Sequence, residues 1–91
     1  MNILANDGIS AAAKEALEHA GHKVWTEFVE PQDLVAFIHE NAVHGIIVRS
    51  ATKIRQPLID ACSNLKFVIR GGVGMDNIDV AYARENGVAV R

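Results

Sequence analysis

Short apolar runs rich in β-branched residues recur along this chain at Asn2–Ala5, Lys23–Glu27, Gly45–Val48, Phe67–Ile69 and Val88–Val90. Their starts lie about 21 residues apart, which leaves room for one helix between each pair of strands. Within the runs, Ile46-Ile47-Val48 and Phe67-Val68-Ile69 show no alternation of polar with apolar residues. Both faces of such strands must be shielded from water, as in a parallel sheet between helical layers.

The intervening segments carry matching helix signals. Ser10 can cap a helix whose Ala13, Ala16, Leu17 and Ala20 form one stripe, and Gly21 suits the left-handed residue that ends it. Pro31 fits the first turn of a second helix, with Leu34, Phe37 and Ile38 on one face and an end near Asn41. Ile54, Leu58, Ala61 and Cys62 mark a third segment at helical spacing, Pro57 being tolerated only in its first turn. A fourth starts near Asp79, a plausible cap, and stops at Asn86-Gly87. The order βαβαβαβαβ with right-handed crossovers predicts an α/β three-layer sandwich, flavodoxin-like, with parallel strand order 2-1-3-4-5. Residues 1–91 form one domain on this reading, with no linker between them.

Composition narrows the partners. The net charge is −2 and the nine lysines and arginines are scattered, so neither nucleic acid nor an anionic membrane finds a basic footprint. No apolar stretch approaches the roughly 20 residues of a membrane span, and the chain opens on a strand-like run rather than a leader, so a cytoplasmic protein is expected. The single cysteine, Cys62, lies in an apolar helical pattern and reads as a buried structural thiol. His19, His22, His39 and His44 come with no carboxylate or cysteine that completes a ligand set, so no metal site is expected. Trp25 and Phe37 read as core.

In open parallel sheets ligands bind beyond the carboxyl ends of the strands, near the point where strand order reverses. Strand one runs into Asn6-Asp7-Gly8, strand three into Arg49-Ser50-Ala51-Thr52-Lys53, and strand four into Arg70-Gly71-Gly72-Val73-Gly74-Met75-Asp76-Asn77. Two arginines thus finish strands that should be neighbours, and guanidiniums so placed repel unless an anion lies between them. The competing reading pairs each with a carboxylate such as Asp7 or Asp76. Three glycines among residues 71–74 let backbone amides approach a carboxylate closely. The segment is not the dinucleotide fingerprint G-x-G-x-x-G, because counting from Gly72 the third glycine position holds Asn77.

The runs Val48-Arg49-Ser50-Ala51-Thr52-Lys53 and Ile69-Arg70-Gly71-Gly72-Val73-Gly74-Met75-Asp76-Asn77-Ile78-Asp79 resemble the D-2-hydroxyacid dehydrogenases, most nearly those that oxidise 3-phosphoglycerate. The resemblance covers essentially all 91 residues. It implies the substrate-binding domain of an oxidoreductase that makes 3-phosphohydroxypyruvate with NAD at the start of serine biosynthesis. Carried over by position, it implies substrate contacts at Arg49, Ser50 and Arg70. The backbone amides of Val73 and Gly74 would hold the substrate carboxylate, with Val73 also near the nicotinamide. The chain ends at Arg91, before the positions of the family's nucleotide-binding fingerprint and of its catalytic arginine, glutamate and histidine. A truncated domain is therefore expected, inactive alone, with no catalytic residue assigned and no cofactor bound.

Two other flavodoxin-like functions fit poorly. A receiver domain needs an acceptor aspartate after strand three and a lysine near the end of strand five, where this chain has Arg49-Ser50 and Arg91. A flavodoxin needs a hydroxyl-rich phosphate loop after strand one, where Asp7 would repel the phosphate. Another D-2-hydroxyacid dehydrogenase, or an isolated flavodoxin-like half with no activity of its own, remains open. A free last strand and an uncovered apolar face around strands four and five predict a homodimer, edge to edge or by exchange of the terminal β/α unit about residues 71–74.

Overall fold

The computed structural model describes residues 1–49, 51–71 and 77–91. The rhythm of the apolar runs is realised as β1 (Asn2–Ala5), α1 (Ala11–His19), β2 (Lys23–Trp25), α2 (Pro31–Glu40), β3 (Gly45–Val48), α3 (Gln56–Ala61), β4 (Phe67–Arg70), α4 (Val80–Glu85) and β5 (Ala89–Val90). The strands form one parallel sheet in the order β2-β1-β3-β4-β5, as the sequence predicts. β2 stops two residues short of its apolar run, and β4 continues through Arg70.

Local chemistry sets the helix limits. The Ser10 hydroxyl accepts from the Ala13 N–H at 3.1 Å, and Pro31 opens α2 where its missing N–H costs nothing. Two ends close by one device: Gly21 (φ 94°) and Gly87 (φ 81°) take the left-handed position, and the next N–H reaches back to Leu17 and Ala83. Ala42 does the same after α2 at φ 48°, an unfavourable conformation for a residue with a Cβ. Two expectations need correcting at the third and fourth helices. Ile54 precedes α3 and pairs with Ile78 in an isolated parallel bridge. Asp79 stands at the N-cap position of α4 but does not cap it; its carboxylate accepts from the Gln56 N–H at the start of α3 and pairs with Arg55 at 3.1 Å.

The core lies on one side of the sheet. Leu4, Ile46, Val48, Val68 and Val90 point to that side and are buried with Leu34 and Ile38 of α2, Leu58 and Ile59 of α3 and Ala83 of α4. Trp25 packs at its margin, edge-on to Phe37 with ring centroids 5.7 Å apart. The opposite side has α1 alone among the described helices. There Ile3 and Ala5 are buried, Ile47 and Phe67 are half-buried, and Ile69 is 38% exposed. The apolar runs are therefore covered on both faces at β1 but on one face only at β4.

Candidate functional site

At the carboxyl end of the sheet, between β1 and β3 where strand order reverses, the chain opens a cleft of about 580 Å³. It is lined by Asp7, Gly8, Ile9, Ser10 and Ala13 from the segment joining β1 to α1 and its first turn, and by Ile47, Arg49 and Gly71 from the ends of β3 and β4. Arg49 follows the last residue of β3 and is exposed, with its side chain running past Gly71. A Cβ on Gly71 would come within 3.8 Å of the Arg49 Cγ, ordinary contact, so the arginine's path does not depend on glycine here.

Arg70 is the last residue of β4 and lies in register with Val48. Strand alternation turns it to the side of Val68, the core side, whereas Arg49 lies on the α1 side with Ile47. The two arginines do finish adjacent strands, but one residue out of step. An anion that meets both guanidiniums would therefore sit beyond the strand ends rather than on a face of the sheet. Of the remaining expected site residues, Ser50, Val73 and Gly74 lie outside the described residues, as does Asp76.

Asp7 does not serve as an ion-pair partner for Arg49 among the described residues. Its Oδ2 accepts from the backbone N–H of Arg49 at 2.6 Å and of Thr52 at 3.1 Å, and its Oδ1 accepts from the Thr52 hydroxyl at 2.6 Å. The carboxylate thus organises the turn after β3 and leaves the Arg49 side chain to the cleft.

Three residues in this network escape a reading of local sequence: Asn6, Thr52 and Asn77. They are the buried polar side chains among the described residues, and all three converge on the turn after β3. Asn6 donates to the Thr52 hydroxyl oxygen at 2.8 Å and to the Val29 carbonyl at 3.2 Å, and it accepts from the Val29 N–H at 2.7 Å. Asn77 donates to the carbonyls of Arg49 and Thr52, both at 2.7 Å. The one available signal was position, since Asn6 and Asn77 flank segments already read as strand-end turns.

The histidines take no part. His39 donates from Nε2 to the Ala61 carbonyl at 2.5 Å, tying α2 to α3, and His44 Nδ1 accepts from the Asn2 N–H at 3.1 Å. No group of three metal-ligating side chains occurs among the described residues. Nor does any glycine turn among them match a dinucleotide cradle, and the turn after β1 is occupied by Asp7 and its partners.

Residues 3–91 match the family described as D-isomer specific 2-hydroxyacid dehydrogenase, catalytic domain, and the chain belongs to that family. It is 40% identical over 89 residues to a hydroxypyruvate reductase of Thermotoga maritima, covering 97% of this chain and 28% of that protein. It is 34% identical over 90 residues to a D-3-phosphoglycerate dehydrogenase of Methanocaldococcus jannaschii, covering 99% of this chain and 17% of that enzyme. Among solved structures, a 3-phosphoglycerate dehydrogenase from Entamoeba histolytica with bound NAD+ superposes with a TM-score of 0.79 at 31% identity, over 99% of this chain and 32% of that one. The chain thus spans less than a third of the length of these relatives.

Proposed function

We propose that these 91 residues are the substrate-binding part of an NAD-dependent D-3-phosphoglycerate dehydrogenase, which oxidises 3-phosphoglycerate to 3-phosphohydroxypyruvate in the cytoplasm. The observation that carries this reading is the cleft at the strand-order reversal, with Arg49 on its wall and Arg70 ending the adjacent strand. A guanidinium suits a carboxylate or phosphate by its paired, fixed donors. Arg49 and Ser50 would contact the substrate, Arg70 its phosphate or carboxylate, and the amides of Val73 and Gly74 the carboxylate, with Val73 also against the nicotinamide.

A second reading within the family is a reductase of unphosphorylated hydroxy acids, favoured by the similarity to the Thermotoga hydroxypyruvate reductase. Titrating the chain at low salt with 3-phosphoglycerate and with glycerate separates the two. On the first reading the phosphorylated ligand shifts the amide resonances of Arg49 and Gly71 and binds at least about tenfold tighter, because it adds a charge-assisted contact. Equal affinity for the two favours the second reading, and no shift with either removes both. NADH production by the 91 residues alone is expected to be nil, since hydride transfer needs substrate and cofactor in one geometry. We infer also that two copies associate through the uncovered face of β4 and β5, where Phe67, Ile69 and Ala89, with Lys66 and Arg91, line a groove beside the sheet edge.

A further inference from the structure

We propose that Asp7 and Asn77 are positioning residues for substrate recognition: together they lock the turn after β3 so that Arg49 meets an anionic substrate already aimed. This deepens the proposed function and rests on it.

The turn is gripped from two directions. From the β1 side, Asp7 takes the N–H groups of Arg49 and Thr52 and the Thr52 hydroxyl proton. From the β4 side, Asn77 uses its two amide hydrogens on the carbonyls of Arg49 and Thr52. Residues 49 and 52 are therefore each held at both the N–H and the carbonyl. Asn6 closes the network behind Thr52, and each of its bonds replaces water lost on burial.

Burying polar side chains is costly unless every group finds a partner. Among the described residues the fold does so at this one turn and nowhere else. Asn6 also holds the backbone of the core residue Val29 through its N–H and carbonyl, so the network joins the core to the turn. Its evident product is a fixed backbone beneath an exposed arginine. A guanidinium launched from a fixed backbone loses less freedom when it binds, and that raises affinity. Ile54 N–H to Asn77 carbonyl and Asp79 N–H to Ile54 carbonyl, both 2.8 Å, continue the same lacing.

Asp7 makes the inference testable because charge and position pull in opposite directions. Removing a carboxylate next to an anion site should strengthen anion binding if electrostatics were its whole effect. Positioning predicts weaker binding. With 3-phosphoglycerate as the probe, read by amide shifts of Arg49 and Gly71, Asp7→Ala and Asn77→Ala should each weaken binding about tenfold, as loss of an orienting partner does elsewhere. Asp7→Asn should restore most of the affinity, since its oxygen still accepts from the backbone and its amide can donate to the Thr52 hydroxyl oxygen. Urea unfolding of each variant monitors the fold. If Asp7→Ala does not fold, Thr52→Val puts the same question while leaving the Asp7 charge in place, and a loss of a few-fold is expected. Unchanged or tighter binding in folded Asp7→Ala, or unchanged binding in Thr52→Val where that variant stands in, overturns the positioning role and leaves the proposed function standing. A parent chain that binds no 3-phosphoglycerate removes the proposed function, and this inference with it.

Discussion

The two faces of the sheet meet different fates although the same strands make both. In β4, Val68 is fully buried on the side of α2, α3 and α4, while its neighbour Ile69 is 38% exposed on the side of α1. In β3, Ile46 is fully buried and Ile47 only half. Sequence hydrophobicity does not distinguish the members of either pair. Strand composition reports how many faces are built to be covered, whereas the cover itself depends on which helices lie over them. Among the described helices α1 alone lies on the second face, where it packs by β2 and lines the cleft with Ile47 of β3, while Ile69 of β4 stays exposed.

Cys62 probes the closed face most sharply. It is 1% exposed, and burial raises its thiol above the usual ionisation range. Only opening of the fold should release it to a thiol reagent. A domain of this size holds about 5 kcal/mol or more, so modification should run on the order of a thousandfold slower than for a free thiol. Modification at the free-thiol rate under native conditions would show that this face is as open as the other. The raised value also fixes a pH trend. Below the ordinary thiol pKa of about 8.5 both states are protonated and nothing changes; above it the unfolded chain ionises first. Stability should therefore fall as pH rises from about 8.5 toward the folded value, and Cys62→Ala should lack that component of the fall.

Matched truncations test the comparison on single residues. Ile46→Ala should cost about 2–5 kcal/mol in urea unfolding, from lost burial and the cavity left behind. Ile69→Ala, measured on dilute protein, should cost about 0.5 kcal/mol or less, because little is removed from a packed environment. If two copies associate through this face, the Ile69→Ala penalty should grow with concentration and Ile69→Lys should give a monomeric mass by light scattering. A parent chain that stays monomeric across a tenfold concentration series would remove the association and leave the open face as it is.

The β/α rhythm, strand order and helix ends at Ser10, Gly21, Pro31 and Gly87 were legible because each rests on a short-range rule: a period, a cap, a ring without an N–H. Arg49 and Arg70 were legible as strand-end cations, but not their opposite sides. That depends on Val48 pairing with Arg70 in a register no local pattern displays. The polar network was hidden for the same reason: Asn6, Thr52 and Asn77 are unremarkable turn residues until the sheet brings them together. Asp79 shows the limit of capping rules, for it occupies a cap position while its carboxylate serves the neighbouring helix. Runs such as Phe67-Val68-Ile69 pointed to cover on both faces, and no local signal could say that Ile69 stays exposed.

Gly45→Ala should change little because two opposing effects nearly cancel, and that smallness is what makes it informative. Gly45 lies on the α1 side of β3, and a Cβ there would overlap the ring of Phe67, which rests across the glycine from β4. In a closed core such an added methyl forces side chains off their preferred rotamers and costs about 1–3 kcal/mol. On this face the ring can swing outward, since Phe67 is only half-buried and its neighbour Ile69 is open to water. The displaced ring loses part of its burial, but alanine also restricts the unfolded chain relative to glycine, a gain of about 0.4–1 kcal/mol, and Gly45 has no left-handed φ that alanine would strain. The two effects nearly cancel. Urea unfolding of dilute Gly45→Ala should therefore fall within about 1 kcal/mol of the parent chain. A loss above about 2 kcal/mol would mean that Phe67 has nowhere to go, and the face taken as open would have to be packed.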